Sequence, residues 1–275
     1  MGSGHSQAPM RLKELSIIQY QNVSPTPEVY KLWLPLHAFK KQLEYFAANN
    51  IQLLSIDDAL DTMEGKKTIN GGRPISLTFD NGYQDFQEHV LPLLSQYGFP
   101  ATLLISPLRV GTSREIGTQS VSYLSWNALK ELINNNVTIG AYEDDELNLN
   151  DLPEESVREH ITTYKKMLED QLGAEIRYFG VKEGVPNRKI RDLLVSEGYR
   201  AFLTQCPINR RPDLYSVGRI QVDDDDFNIF LTKISQTYLF FKDKKSWRYI
   251  RKYRLDRVAH RLSETYDRFR GRGSG

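Results

Sequence analysis

Short apolar runs alternate with amphipathic stretches along almost the whole chain, and no internal repeat or low-complexity linker interrupts them. Residues 15–20 read as a strand and 24–27 as a loop. Residues 36–50 read as a helix, because Phe39, Leu43 and Phe46 recur at the three-to-four spacing that lines one helical face. A strand follows at 51–55, and Asp57 or Asp58 is placed to cap a short helix running to Met63. After a polar loop, the β-branched and apolar run 75–79 (ISLTF) stops abruptly at Asp80-Asn81-Gly82, a turn signal.

The alternation continues with a helix at 83–97, a strand at 101–105 and a long loop carrying Gly111 and Gly117. Next come a helix at 125–135, a strand at 137–141 and a helix opened by Pro153 at its first position and running to about Leu172. Strands at 176–181, 199–204 and 217–222 flank a helix at 186–197, and helices at 227–238 and 247–269 close the chain. About eight strands separated by helices predict an α/β fold, a (β/α) barrel of one domain. Such barrels gather their functional groups at the C-terminal ends of the strands, which here are Asp80, Tyr142 and Gly180.

Composition narrows this picture. Apolar residues at 40% and charged residues at 26% exclude disorder for most of the chain. The net charge of +1 conceals an asymmetry: residues 242–272 hold 12 basic and 4 acidic side chains, a local +8 that leaves −7 for the rest. In that tail Leu255, Val258, Leu262, Tyr266 and Phe269 form an apolar stripe among arginines. The stripe predicts a last helix packed on the barrel, or a basic helix that docks on an anionic membrane or an acidic partner. No nucleic-acid-binding motif accompanies the charge. The expected division is therefore a barrel over 10–241 and a basic helix over 242–272, with 1–9 and 273–275 read as added residues.

One cysteine, Cys206, excludes an internal disulfide framework and a cysteine-rich zinc site. No run of 18 apolar residues and no signal-peptide pattern is present, so the sequence leaves the compartment open. Asp223 to Asp226 precede an apolar helical run and fit a helix start.

Three groups of residues carry a family resemblance. Thr78-Phe79-Asp80-Asn81-Gly82-Tyr83, then Leu91-Pro92-Leu93-Leu94 and Tyr97-Gly98-Phe99-Pro100-Ala101-Thr102, resemble the first block of the polysaccharide deacetylases. Leu124-Ser125-Trp126, Ile139-Gly140 and Arg177-Tyr178-Phe179 followed by Gly184 extend the likeness, as do Phe39 to Phe46 and Ser55 to Leu60 upstream. The resemblance implies a distorted (β/α)7-8 barrel and a hydrolase of N-acetylated glycans that uses one divalent metal, usually zinc. It further implies an envelope or secreted setting. In that chemistry a metal polarises the amide and its bound water, a carboxylate takes the water's proton, and an acid protonates the leaving amine.

Carried across position by position, the resemblance assigns Asp80 as base and Arg177 as the group orienting it, and pairs them at the strand ends. The metal positions fall on Asn81, Tyr142 and Glu146, of which none is an imidazole and only Glu146 is a carboxylate. Lys182 replaces a family proline, and Tyr20-Gln21 stands for a Tyr-His pair on the first strand. The five histidines, His5, His37, His89, His160 and His260, occupy no motif position and read as ordinary structural or surface residues. No metal is expected. The reading is a degenerate site whose groove, with Tyr83, Tyr20 and Lys182 around it, binds a glycan or a protein partner. Two alternatives remain: an active deacetylase or amidohydrolase using Asp80 as base with an atypical or absent metal, for instance a hard cation on Asp80, Glu146 and some of Glu143, Asp144 and Asp145, or a membrane-peripheral scaffold docking through its tail.

Overall fold

The computed structural model describes residues 15–25, 33–49, 51–69, 74–116, 119–143, 148–182, 184–205, 213–222 and 226–235. Its strands are β1 (Ser16–Tyr20), β2 (Asn22–Ser24), β3 (Trp33–Pro35), β4 (Gln52–Leu54), β5 (Pro74–Asn81), β6 (Ala101–Ile105) and β7 (Ser113–Ile116). They continue with β8 (Gln119–Ser122), β9 (Val137–Glu143), β10 (Tyr178–Val181), β11 (Ala201–Thr204), β12 (Val217–Gly218) and β13 (Ile220–Gln221). The helices are α1 (Leu36–Ala48), α2 (Ile56–Met63), α3 (Leu91–Tyr97), α4 (Trp126–Ile133), α5 (Glu154–Leu172), α6 (Arg188–Ser196) and α7 (Phe227–Ile234).

Eight parallel strands lie in the order β12-β11-β10-β9-β6-β5-β1-β13. The ring nearly closes because β12 and β13 are two halves of one segment interrupted at Arg219: one half pairs with β11 and the other with β1. β4 takes the lower part of a β5 edge, at Pro74 to Ser76, and β6 takes the upper part, from Thr78. This is the expected barrel.

Period-two alternation sorts the side chains into two apolar layers. Ile18, Tyr20, Leu77, Phe79, Leu103, Ile139 and Phe179 point outward and pack under the helices with Phe39, Leu43 and Phe46 of α1. Ile17, Leu104, Tyr142, Tyr178, Leu203 and Val217 fill the lumen instead. The lumen is therefore a packed core rather than a pore.

Several local expectations change. Ser55, not an aspartate, caps α2, its hydroxyl accepting from the Asp58 amide. The expected helix 83–97 begins with a π-helical turn, Phe86–Val90, before α3. The glycine-bearing loop contains an antiparallel hairpin, β7–β8, and the stretch around 22–35 contributes the small parallel pair β2–β3. Pro153 sits one residue ahead of α5, as its N-cap. Among the described residues no helix is long and apolar enough to cross a membrane. Glu146, Cys206, Asp223 to Asp225 and the basic tail 242–272 lie outside the described residues.

Candidate active site

Asp80 ends the inward-facing series Ser76, Thr78, Asp80 on β5 and is 1% exposed. Its partner is Arg219, which reaches it from the break between β12 and β13. Arg219 Nη1 donates to Asp80 Oδ1 at 2.5 Å and Nη2 to Oδ2 at 3.2 Å, with both side chains fully buried. Gln19 Nε2 from β1 donates to Oδ2 at 2.5 Å. Arg219 also donates to the Val181 carbonyl at 3.2 Å and to Thr78 Oγ1 at 3.4 Å, while Thr78 donates to the Ile18 carbonyl at 2.7 Å. Thus β1, β5, β10 and the closing segment are tied together at one point inside the barrel.

A general base must present a free lone pair to a water on its way to substrate. Asp80 instead receives three N–H bonds on its two oxygens and is closed off from solvent. The geometry makes it the anionic half of a buried, bidentate ion pair, a strong pairing because guanidinium and carboxylate match as two forks.

Arg177 does not take the orienting place expected for it. It precedes β10, at the N-terminal end of the barrel, and its Nη2 bonds Asp57 Oδ2 at 2.7 Å, with a longer contact to Glu175 at 3.7 Å. Tyr178 and Arg200 donate to the same Asp57 carboxylate. Burial pushes the Asp57 carboxyl up, but the Tyr178 hydroxyl and the Arg177 and Arg200 guanidinium groups outweigh it and hold the carboxyl below its usual range. The reason for the difference is strand direction: Asp80 lies at the C-terminal end of β5, and Arg177 begins its own parallel strand at the other end.

Tyr142, at the position of the first metal-binding imidazole, points inward from β9 and is 1% exposed. It stands in register with Gly180 of β10, and a methyl group on Gly180 would come within 3.2 Å of the Tyr142 ring and 2.4 Å of Leu104. The bare glycine lets that ring and Leu104 fill the lumen. Asn81 ends β5 with φ 73°, followed by Gly82 with φ 75°. Only glycine fits the second position, where a Cβ would lie 2.5 Å from Ile105 Cγ2.

The residues expected around the groove disperse. Tyr20 is buried on the outer face of β1, stacked on Phe79 at 5.0 Å and donating to Gln42 Oε1 at 2.7 Å, because alternation turns it away from the lumen side that Gln19 occupies. Tyr83 is buried in a small cluster with Trp33, Val121 and Tyr123. Lys182 is half-buried directly after β10, at the expected end of the barrel.

Zinc at the family's metal position would draw on Asn81, Tyr142 and Glu146. Of the two described residues, Asn81 offers a neutral amide, and Tyr142 offers a phenol, which ordinarily ionises only near ~10, packed in the lumen core. That pair does not fit zinc. The sequence reading missed Arg219 and Gln19. A signal was present: in 217–222 (VGRIQV) period two puts Arg219 on the same side as Val217, an arginine facing inward from an apolar strand.

Residues 67–202 match the family model described as polysaccharide deacetylase. Over 212 residues the chain is 23% identical to "Putative polysaccharide deacetylase YxkH" of Bacillus subtilis (strain 168), covering 76% of this chain and 71% of that protein. Among solved structures, IcaB from Ammonifex degensii superposes with a TM-score of 0.67 at 24% identity, over 76% of this chain and 91% of that one. The Streptococcus pyogenes deacetylase PplD superposes at 0.65 and 19% identity, over 76% and 92%. At these identities the structural likeness speaks for the fold.

Proposed function

We propose, from the premise that this chain is a polysaccharide deacetylase-like protein, that its metal-dependent hydrolytic site is lost and that the barrel serves polysaccharide handling by binding a glycan or a protein partner. The observation that carries the reading is the condition of Asp80. The one carboxylate kept from the first motif accepts three N–H bonds from Arg219 and Gln19 and is shut away from solvent. A base held and buried in this way lacks the access to water and substrate that amide hydrolysis requires. Asn81 and Tyr142 support the same reading, since neither supplies an anionic or imidazole ligand that would hold a Lewis acid beside it.

Turnover of an acetylated chitooligosaccharide tests the proposal. The chain is incubated with the substrate and with zinc, manganese or magnesium, and free acetate is measured for the native protein and for Asp80→Asn. The expected result is background acetate from both, with oligosaccharide binding detected by calorimetry or by line broadening in NMR. Metal-dependent acetate release that Asp80→Asn abolishes would establish the active-deacetylase reading in its place.

A further inference from the structure

Beside the barrel mouth, the segments that follow β5 and β6 enclose a recess of about 560 Å³. Its wall is made by Gln84 and Gln87 ahead of α3, Thr112 and Ser113 entering the hairpin, and Ser122 and Ser125 between β8 and α4. Ligand sites ordinarily occupy roughly 300–1,000 Å³, so the size is right for one.

Four backbone hydrogen bonds hold this wall in place. The Gln84 amide donates to the Ser122 carbonyl, that of Leu124 to Gly82, that of Tyr123 to Thr112 and that of Gly111 to Leu124, each at 2.9 Å. The side-chain amides are fixed as well: Gln84 Nε2 donates to Glu88 Oε1 at 2.7 Å and Gln87 Nε2 to Glu131 Oε2 at 3.4 Å. With the nitrogens so engaged, each amide keeps its carbonyl oxygen as an acceptor. Ser113 and Ser122 stand opposite each other across the hairpin, and both are exposed. A recess whose walls are already set takes a ligand without first having to order itself.

The chemistry of the wall selects the ligand. Charged residues make up 26% of the chain, so about two or three belong on a surface wall of ten residues; this one holds no acid, lysine, arginine or histidine. An ionic ligand therefore finds no counter-charge on it. Hydroxyls and amides dominate, with Leu124 and Ala128 as a small apolar part, so a wholly apolar ligand is mismatched too. What matches is a molecule that donates and accepts at many neutral hydroxyls and shows a narrow C–H face between them, an uncharged saccharide. We propose that this recess is an accessory saccharide site that holds a short uncharged stretch of glycan beside the barrel mouth. The site rests on the glycan-binding reading above, to which it adds a place and a chemical class, and it does not depend on Asp80, Asn81 or Tyr142.

Titration of the isotope-labelled full chain with acetylated chitotetraose, followed through backbone amide NMR signals, tests the proposal. The amides of Gly111, Thr112 and Ser122 are expected to shift with Kd of about 1 mM, the strength of a few neutral hydrogen bonds on a preformed surface. Ser122→Trp and, separately, Ser113→Trp fill the recess from exposed positions and are expected to weaken binding at least about fivefold. Native positions of the remaining amide signals check that both variants fold. An oligogalacturonide of equal length, which carries carboxylates, is expected to bind at least about fivefold more weakly. Shifts confined to the barrel mouth around Lys182, with both variants within about twofold of native, overturn this site and leave the glycan-binding reading standing. No shift anywhere up to about 10 mM overturns the site and the glycan half of that reading together. Equal affinity for the acidic oligomer overturns the chemical class.

Discussion

Replacing Arg219 by Met removes the cation that balances Asp80 inside the barrel. Both side chains are fully buried, so water cannot screen the carboxylate left behind, and Gln19 then provides its one remaining described side-chain bond. Breaking a buried ion pair by deleting one partner costs about 3–5 kcal/mol. For a domain of this size each kcal/mol moves Tm by roughly 2–4 °C, so a fall of about 6–20 °C is expected. Urea unfolding gives the same quantity as a shift in midpoint at constant slope. Arg177→Ala is the internal comparison: its guanidinium is 37% exposed where it pairs with Asp57, and pairs of that kind are worth at most about 1 kcal/mol. The double variant Arg219→Met with Asp80→Leu removes both charges and is expected to recover much of the loss, a coupling of 1 kcal/mol or more. Equal costs for Arg177→Ala and Arg219→Met, or strictly additive effects in the double variant, would refute the assignment of Arg219 as the partner of Asp80.

Two further expectations concern other polar groups. His160 Nδ1 lies 2.5 Å from Glu143 Oε2, whose side chain is fully buried between β9 and α5, so His160→Ala is expected to destabilise by about 1–3 kcal/mol in urea unfolding; a change under 0.5 kcal/mol would contradict it. Asp57 has a carboxyl held below its usual range in the folded chain, so it contributes stability that is present above the unfolded value near ~4 and is lost as pH falls through the lower, folded value. Asp57→Asn should therefore flatten the acid limb of a midpoint-versus-pH curve below about pH 4; an unchanged limb would show that Asp57 does not drive it.

The barrel was legible because its evidence is local. Ile17 to Tyr20, Ile75 to Phe79 and Ala101 to Ile105 are runs of strand-forming residues, and the spacing of Phe39, Leu43 and Phe46 is that of one helical face. The motif around Asp80 was legible for the same reason, as was the absence of histidine at Tyr142 and Glu146. Even the outward turn of Tyr20 follows from alternation once Gln19 is known to face the lumen. The hairpin β7–β8 was not legible, because its strands are short and mostly polar and carry little apolar alternation.

By itself, then, the sequence determined which segments become strands and helices, that they wind into a parallel barrel, and which chemical groups are missing from the first motif. What only the tertiary structure decided is which charges meet. Arg177 and Arg219 are both arginines near strands; period two turns Arg219 inward with Val217, but no local signal says which of the two meets Asp80. The choice between them is made by strand direction, which puts Arg177 at the far end from Asp80, and by closure of the ring, which breaks the last strand at Arg219 and turns its guanidinium into the lumen. Asn22 likewise hydrogen-bonds Asp85 only because β2 packs against the turn that carries it. Contacts across such sequence separations depend on register and closure, which are properties of the whole sheet rather than of any one segment.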